Sequence, residues 1–255
     1  MNITDTHIHL YSSEFDKDRE DLIEHAQKNG INKFFMPNID STSVASMMEL
    51  QKKYPGICFS MMGLHPCSVK ENYAEELMSV ERWLTKESFK AVGEIGIDLY
   101  WDKTFIKEQE FSFKKQIEWA HHYKLPIVIH SRDSFNEVYQ CLIDMKSQEP
   151  RGIFHCFSGT VEQAKKIIDL GFYLGIGGVI TYKNSGLDKV IAAIDLRHLV
   201  LETDAPYLAP TPFRGKRNEP EYILNIAEKI AEIKETTVED VALITTQNAM
   251  KIFDI

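Results

Sequence analysis

The sequence predicts an α/β protein, a single-domain (β/α)8 TIM barrel with a C-terminal helical extension, on three observations. Short apolar runs alternate with longer amphipathic stretches along the whole chain, as repeated strand–helix units around a parallel sheet do. Eight units can be counted in 255 residues, and at about 30 residues each they fill the length such barrels use as one unit. Polar residues able to do chemistry follow the apolar runs at several strands, as in a barrel, where every strand C-terminus faces one mouth. An open doubly wound sheet shares the alternation but binds at one switch point, commonly through a glycine-rich loop. No G-x-G-x-x-G opens a helix near the first strand.

The strands are expected at residues 2–6, 33–36, 57–61, 91–92, 126–129, 152–154, 172–176 and 199–201. Helices are expected between them at 15–28, 41–53, 74–84, 107–123, 134–146, 161–170 and 187–194. In the sixth, Val161, Ala164, Ile167, Ile168 and Leu170 form one apolar face; Thr160 can cap its start and Gly171 its end. Residues 220–233 and 238–253 carry helical spacing suited to a closing helix and a C-terminal one. No Ser/Gly/Pro-rich linker or shift in composition divides the chain, so residues 1–255 read as one domain.

With 29 Lys and Arg against 38 Asp and Glu the net charge is −9, which disfavours a protein that coats duplex DNA by counterion release. An enzyme gripping a few phosphates through bound metal remains compatible, because global charge says little about one cleft. Cys58, Cys67, Cys141 and Cys156 form no C-x-x-C pair and read as reduced thiols. The N-terminal residues lack a basic, then apolar, leader, and no apolar run reaches the ~18 residues of a membrane span. A cytoplasmic location with no membrane partner is the expectation.

Two imidazoles, His7 and His9, stand two residues apart on an extended segment and therefore share a face. They can grip one ion, although paired solvated histidines also occur by chance. In Ala91-Val92-Gly93-Glu94-Ile95-Gly96-Ile97-Asp98 a carboxylate follows an apolar strand; if buried it needs a compensating partner, a cation or a salt bridge. His130 ends the fifth strand, His155 the sixth, and Glu202-Thr203-Asp204 the eighth. Either histidine alone is more often a hydrogen-bonded core residue. Together, His7, His9, Glu94, His130, His155 and Asp204 come from five strand ends that converge on one mouth.

Four imidazoles and two carboxylates suffice for two divalent ions if one carboxylate bridges, and Glu94 is the bridging candidate because its strand lies between the two groups. The ligand charge of about −2 against +4 leaves a local excess that attracts an anionic substrate. The donor set admits zinc, manganese, magnesium, iron or cobalt. His25, His121, His122 and His198 lie on expected helices or at a strand entrance and read as solvated.

These residues resemble the TatD-like metal-dependent deoxyribonucleases of the metallo-dependent hydrolase superfamily. The likeness spans essentially the whole chain. It is carried by Asp5-Thr6-His7-Ile8-His9, Gly63-Leu64-His65-Pro66, Gly93-Glu94-Ile95-Gly96-Ile97-Asp98, His130-Ser131-Arg132, His155-Cys156-Phe157-Ser158-Gly159, Glu202-Thr203-Asp204-Ala205-Pro206-Tyr207-Leu208 and Arg214-Gly215-Lys216-Arg217-Asn218-Glu219-Pro220. The resemblance implies a dinuclear centre that hydrolyses DNA phosphodiesters, often trimming a strand from its 3′ end. One metal would take His7, His9, Glu94 and Asp204, the other Glu94, His130 and His155. Many relatives in the wider superfamily bridge with a carboxylated lysine; Glu94 at that position argues against the cyclic amidase branch.

The expected reaction is attack on phosphorus by water activated between the ions, with Asp204 as general base and Glu94 as the shared catalytic carboxylate. Glu202 assists or, turned away by strand alternation, serves structure. His65 donates to a substrate phosphate or stabilises its turn. Arg132, Arg214, Lys216 and Arg217 are candidate phosphate clamps, and one or two of Tyr100, Trp101, Tyr207 and Phe213 are candidates to stack bases of a single strand. The partner is then DNA, single-stranded or at 3′ ends. Two alternatives stay open: a dinuclear hydrolase of another ester, such as D-aminoacyl-tRNA, and a non-catalytic nucleic-acid-binding barrel.

Overall fold

Eight parallel strands form in chain order in the computed structural model, which describes residues 1–255. They are β1 (Ile3–Asp5), β2 (Ile31–Pro37), β3 (Cys58–Met61), β4 (Val92–Asp98), β5 (Ile127–Arg132), β6 (Gly152–Phe154), β7 (Tyr173–Ile176) and β8 (Leu199–Leu201). Continuous ladders join β1-β2-β3 and β4 through β8. Isolated backbone hydrogen bonds close the two remaining seams. At β3/β4, Met62 N donates to Ala91 O at 3.1 Å and Gly93 N to Met62 O at 3.0 Å; at β8/β1, Thr6 N donates to Leu201 O at 3.0 Å and Asp204 N to His7 O at 2.9 Å. The result is the expected (β/α)8 barrel.

The outer helices are α1 (Arg19–Lys28), α2 (Val44–Lys53), α3 (Tyr73–Lys86), α4 (Ile106–Tyr123), α5 (Phe135–Asp144), α6 (Val161–Asp169), α7 (Leu187–Ala193) and α8 (Ile223–Lys234), with α9 (Val238–Phe253) as the extension. The cap expected at Thr160 forms, and the structure makes it a capping box: its hydroxyl accepts from Gln163 N while the Gln163 side chain accepts from Thr160 N. Gly171, at φ +86°, lets the chain leave α6 through the left-handed region.

Strand alternation divides the apolar residues into two clusters. Phe34 and Met36 of β2 belong to the larger one under the helices, whereas Phe35, Met61, Val128, Ile153 and Val200 join Ala249, Ile252 and Phe253 of α9 in a second. Phe253 stacks on Phe35 with ring centroids 3.8 Å apart. The C-terminal helix therefore plugs the end of the barrel opposite the mouth, where Thr246 Oγ1 donates to Asn2 O and Asn248 Nδ2 to Leu199 O. The buried polar residues concentrate at the other end of the strands.

Two boundaries differ from expectation with consequences for the site. The fourth strand continues through Asp98, so Glu94 lies inside it and not after it. Gly96 permits this: a Cβ there would come within 2.0 Å of His130 O on the paired strand. The first helix starts at Arg19, not at residue 15, because Arg19 turns back to donate to the carbonyls of Leu10 (2.7 Å) and Ser12 (2.9 Å).

Candidate metal centre

Asp5, fully buried, ties β1 to β8: its carboxylate accepts from His7 N (3.2 Å), Thr203 N (3.0 Å) and Thr203 Oγ1 (2.6 Å). This sets His7 and His9 beside Asp204. Asp204 holds a left-handed backbone, φ 58°, a strained conformation for a non-glycine residue. Asn218 secures the loop beyond it through bonds from Nδ2 to Thr203 O and Tyr207 O, both 2.7 Å.

Glu94 reaches in from β4 with one carboxylate oxygen toward each side. Its Oε2 lies 3.0 Å from His7 Nε2 and 4.0 Å from His9 Nε2. Its Oε1 lies 2.8 Å from His130 Nδ1, 3.4 Å from His65 Nε2 and 3.8 Å from His155 Nε2. Asp204 Oδ1 stands 3.6–3.7 Å from the Nε2 atoms of His7, His9 and His155. All six expected donors meet in one cluster. His155 belongs to both sides at once, and its ring stacks on His7 at 3.4 Å.

Neighbouring groups determine which nitrogen each imidazole offers. The Tyr11 hydroxyl donates to Pro37 O at 2.6 Å, so its oxygen accepts from His9 Nδ1 at 2.9 Å and leaves the Nε2 lone pair facing Glu94 and Asp204. Asp98 Oδ2 accepts from His130 Nε2 at 2.8 Å, which turns Nδ1 toward Glu94. Glu202 Oε1 makes an ion-pair contact with His155 Nδ1 at 2.9 Å and also accepts from Cys156 N. His65 is the opposite case: its Nδ1 accepts from Cys67 N at 3.1 Å, so the neutral ring carries its proton on Nε2 and presents a donor. Three of the rings are thus arranged as ligands, and His65 as a hydrogen-bond donor.

Burial disfavours ionisation of Glu94, but the imidazoles around it, His65 first, outweigh burial and hold its carboxyl well below the usual range. Asp204 is likewise held low against burial, chiefly by His155. Burial also opposes charge on His130 and His155, yet Asp98 and Glu94 lift the former to about 8, and Glu202, Glu94 and Asp204 lift the latter to about 10. His7 goes the other way, lowered by burial and by His155. Its ring is wholly buried and neither nitrogen has a hydrogen-bond partner, an arrangement costly unless something binds there. A neutral lone pair aimed between two ionised carboxylates fits a divalent cation. The triads His7/His9/Glu94 and His7/His155/Asp204 could each hold one, and Glu94 with His130 adds a further pair of donors.

Glu202 turns away from the cleft, as alternation allowed. It occupies space left by Gly175, where a Cβ would come within 2.3 Å of Oε2. A cleft of about 700 Å³ opens over the donors, lined also by His65, Cys67, Trp101, Arg132, Ser158, Tyr207 and Leu208. Arg132 makes no ion pair. Arg214 packs over the Tyr182 ring at 4.4 Å, and Phe213 stacks on Tyr222 at 3.9 Å, both outside that lining. Arg217 is held by Asp18 (2.9 and 2.6 Å) and Glu219 (3.1 Å) and lies over Phe15, so its charge is already neutralised at that loop. Lys216 is exposed, and His25, His121 and His122 are exposed surface groups.

Tyr11 and Asp98 orient His9 and His130 without standing among the six expected donors. For Tyr11 a signal existed: it continues the two-residue alternation of His7 and His9.

Residues 4–254 match the family described as TatD related DNase. An uncharacterized metal-dependent hydrolase of Bacillus subtilis, YabD, is 38% identical over 252 residues, covering 98% of each chain. The crystal structure of YjjV, a TatD homologue from Escherichia coli K12, superposes with a TM-score of 0.93 at 29% identity, covering 99% of this chain and 98% of its own. A TatD family hydrolase from Entamoeba histolytica shares the fold, with a TM-score of 0.85 at 21% identity and 99% and 98% coverage.

Proposed function

We propose, on the premise that this chain belongs to the TatD-related family of metal-dependent hydrolases, that it cleaves DNA phosphodiesters as a deoxyribonuclease, releasing nucleotides from single-stranded 3′ ends. The observation that carries this reading is the split carboxylate of Glu94, whose two oxygens face separate sets of imidazoles beneath a cleft that holds the unpaired Arg132. That geometry suits two divalent ions, one at His7, His9 and Asp204 and the other at His130 and His155, with Glu94 shared. When bound, such ions polarise phosphoryl oxygens and acidify water.

The remaining work falls to the chain. Asp204 accepts the proton of the attacking water, because its Oδ1 points into the centre and its carboxyl is kept ionised. His65 donates Nε2–H to a non-bridging phosphoryl oxygen, a role its hydrogen bond from Cys67 N prepares. Arg132 pairs with a phosphate through its fork of N–H donors. Tyr11, Asp98 and Glu202 keep His9, His130 and His155 oriented.

The test compares hydrolysis of 3′-labelled single-stranded DNA with deacylation of D-aminoacyl-tRNA, each before chelation, after it and after metal restoration. Chelation-sensitive release of nucleotides, restored by metal, is expected. Deacylation without nucleotide release would move the function to the other ester, and strand binding that ignores chelation, with neither reaction, to the non-catalytic barrel.

A further inference from the structure

At the β4–β5 rim of the cleft, Tyr100, Trp101 and Arg132 form an arrangement that the hydrolytic chemistry does not require. The guanidinium carbon of Arg132 lies 3.8 Å from the Tyr100 ring centroid and 5.4 Å from that of Trp101, and the two rings meet edge to face at 4.9 Å. Tyr100 therefore braces Arg132 from behind. Trp101 is 69% exposed and lines the cleft, so a large flat apolar face is left open to solvent. Arg132 has no carboxylate partner although the chain carries a net charge of −9.

The turn bearing these rings is fastened to the metal centre. Asp98 Oδ1 accepts from Tyr100 N at 3.0 Å and Trp101 N at 3.1 Å, while its Oδ2 accepts from His130 Nε2 at 2.8 Å. One carboxylate thus holds both the aromatic turn and a candidate ligand, and so sets their separation. Burial by itself would disfavour ionised Asp98, but His130 and the two backbone donors outweigh it. The other aromatic candidates are placed differently: Tyr207 stands edge-on to His9 across the cleft, and Phe213 is covered by Tyr222.

An open ring and an unpaired guanidinium side by side match the two halves of a nucleotide, a base and a phosphate. We propose that Trp101 and Arg132 form a nucleotide subsite on the His130 side of the centre, in which one base flanking the scissile bond stacks on Trp101 and its phosphate pairs with Arg132. The subsite rests on the phosphodiesterase reading and gives its restriction to single strands a structural basis, since a base inside a duplex cannot offer its face. It selects the polymer without selecting the sequence.

The test uses the full chain loaded with metal, a single-stranded oligonucleotide, and a strand of the same length in which every base is replaced by a tetrahydrofuran abasic unit. Wild-type enzyme is expected to prefer the base-bearing strand in kcat/KM. Trp101→Ala should lose that preference through a fall of about 10- to 100-fold on the base-bearing strand, the range of base–aromatic stacking, and Trp101→Phe should recover most of it. Equal losses on both strands, or no loss on either, would overturn the subsite. If the wild type cleaves neither strand, the phosphodiesterase reading fails by itself, and quenching of tryptophan fluorescence by oligothymidylate decides the subsite. Quenching present in wild type and lost in Trp101→Ala supports it; quenching the same in both overturns it.

Discussion

The backbone N–H of Cys67 donates to Nδ1 of His65 across 3.1 Å, and this contact separates His65 from the other imidazoles of the centre. A ring so held offers a proton where His9, and His130 once a cation displaces its proton, offer lone pairs. His65→Ala is therefore expected to reduce kcat by about 10²–10³-fold, the usual cost of one electrostatic donor, with metal content intact. His130→Ala should lose metal as well. Elemental analysis beside single-turnover kinetics distinguishes the two.

Glu94 is the only carboxylate whose two oxygens face both halves of the site. Glu94→Gln keeps the shape and removes the charge, leaving one oxygen to serve both sides. Bound metal should fall to one equivalent or fewer, and hydrolysis by at least about a hundredfold. Two equivalents of metal in the variant, measured by elemental analysis after gel filtration, would rule out a bridging role.

Tyr11→Phe removes the hydroxyl that accepts from His9 Nδ1 and links it to Pro37 O. Loss of such an outer partner typically weakens metal binding by about 10- to 100-fold. Competition with a chromogenic chelator measures it, and an unchanged affinity would show that His9 is oriented by something else.

Metal binding should release protons. The surrounding carboxylates raise His130 to about 8 and His155 to about 10 against the opposing effect of burial, so at pH 7 both rings are charged in the metal-free protein. A cation must displace those protons, and apparent affinity rises with pH up to these values, by about one decade per pH unit for each proton displaced. Titration calorimetry in buffers of different ionisation enthalpy counts the protons.

Phe253 lies at the closed end, stacked on Phe35 and 2% exposed. Phe253→Ala should destabilise the fold by about 3–5 kcal/mol while leaving kcat unchanged where the protein remains folded. Urea unfolding and activity assays on the same preparation test both halves of this expectation.

Much of the barrel was legible because strand and helix periodicity are local. β6, β8 and α9 fall at the expected residues, and the Thr160 cap forms as its spacing implies. The fourth strand runs beyond its predicted end because Gly93 and Gly96, which in sequence look like breakers, here permit close approach to β5. The plug formed by α9 was invisible as such: helical spacing shows an apolar face but not the barrel end it fills.

The order of residues alone determined the donor types and their places at the ends of strands, because a parallel barrel turns every such end toward one mouth. Tertiary structure decided what each group does there. The proton positions on the rings come from Tyr11, Asp98, Glu202 and Cys67; the fates of two arginines come from Asp18, which holds Arg217, and from Tyr100, which leaves Arg132 unpaired. Most of these contacts join residues far apart along the chain. A hydrogen bond or ion pair acts over about 3 Å of space, and the pattern of a sequence carries no such distance until the chain has folded.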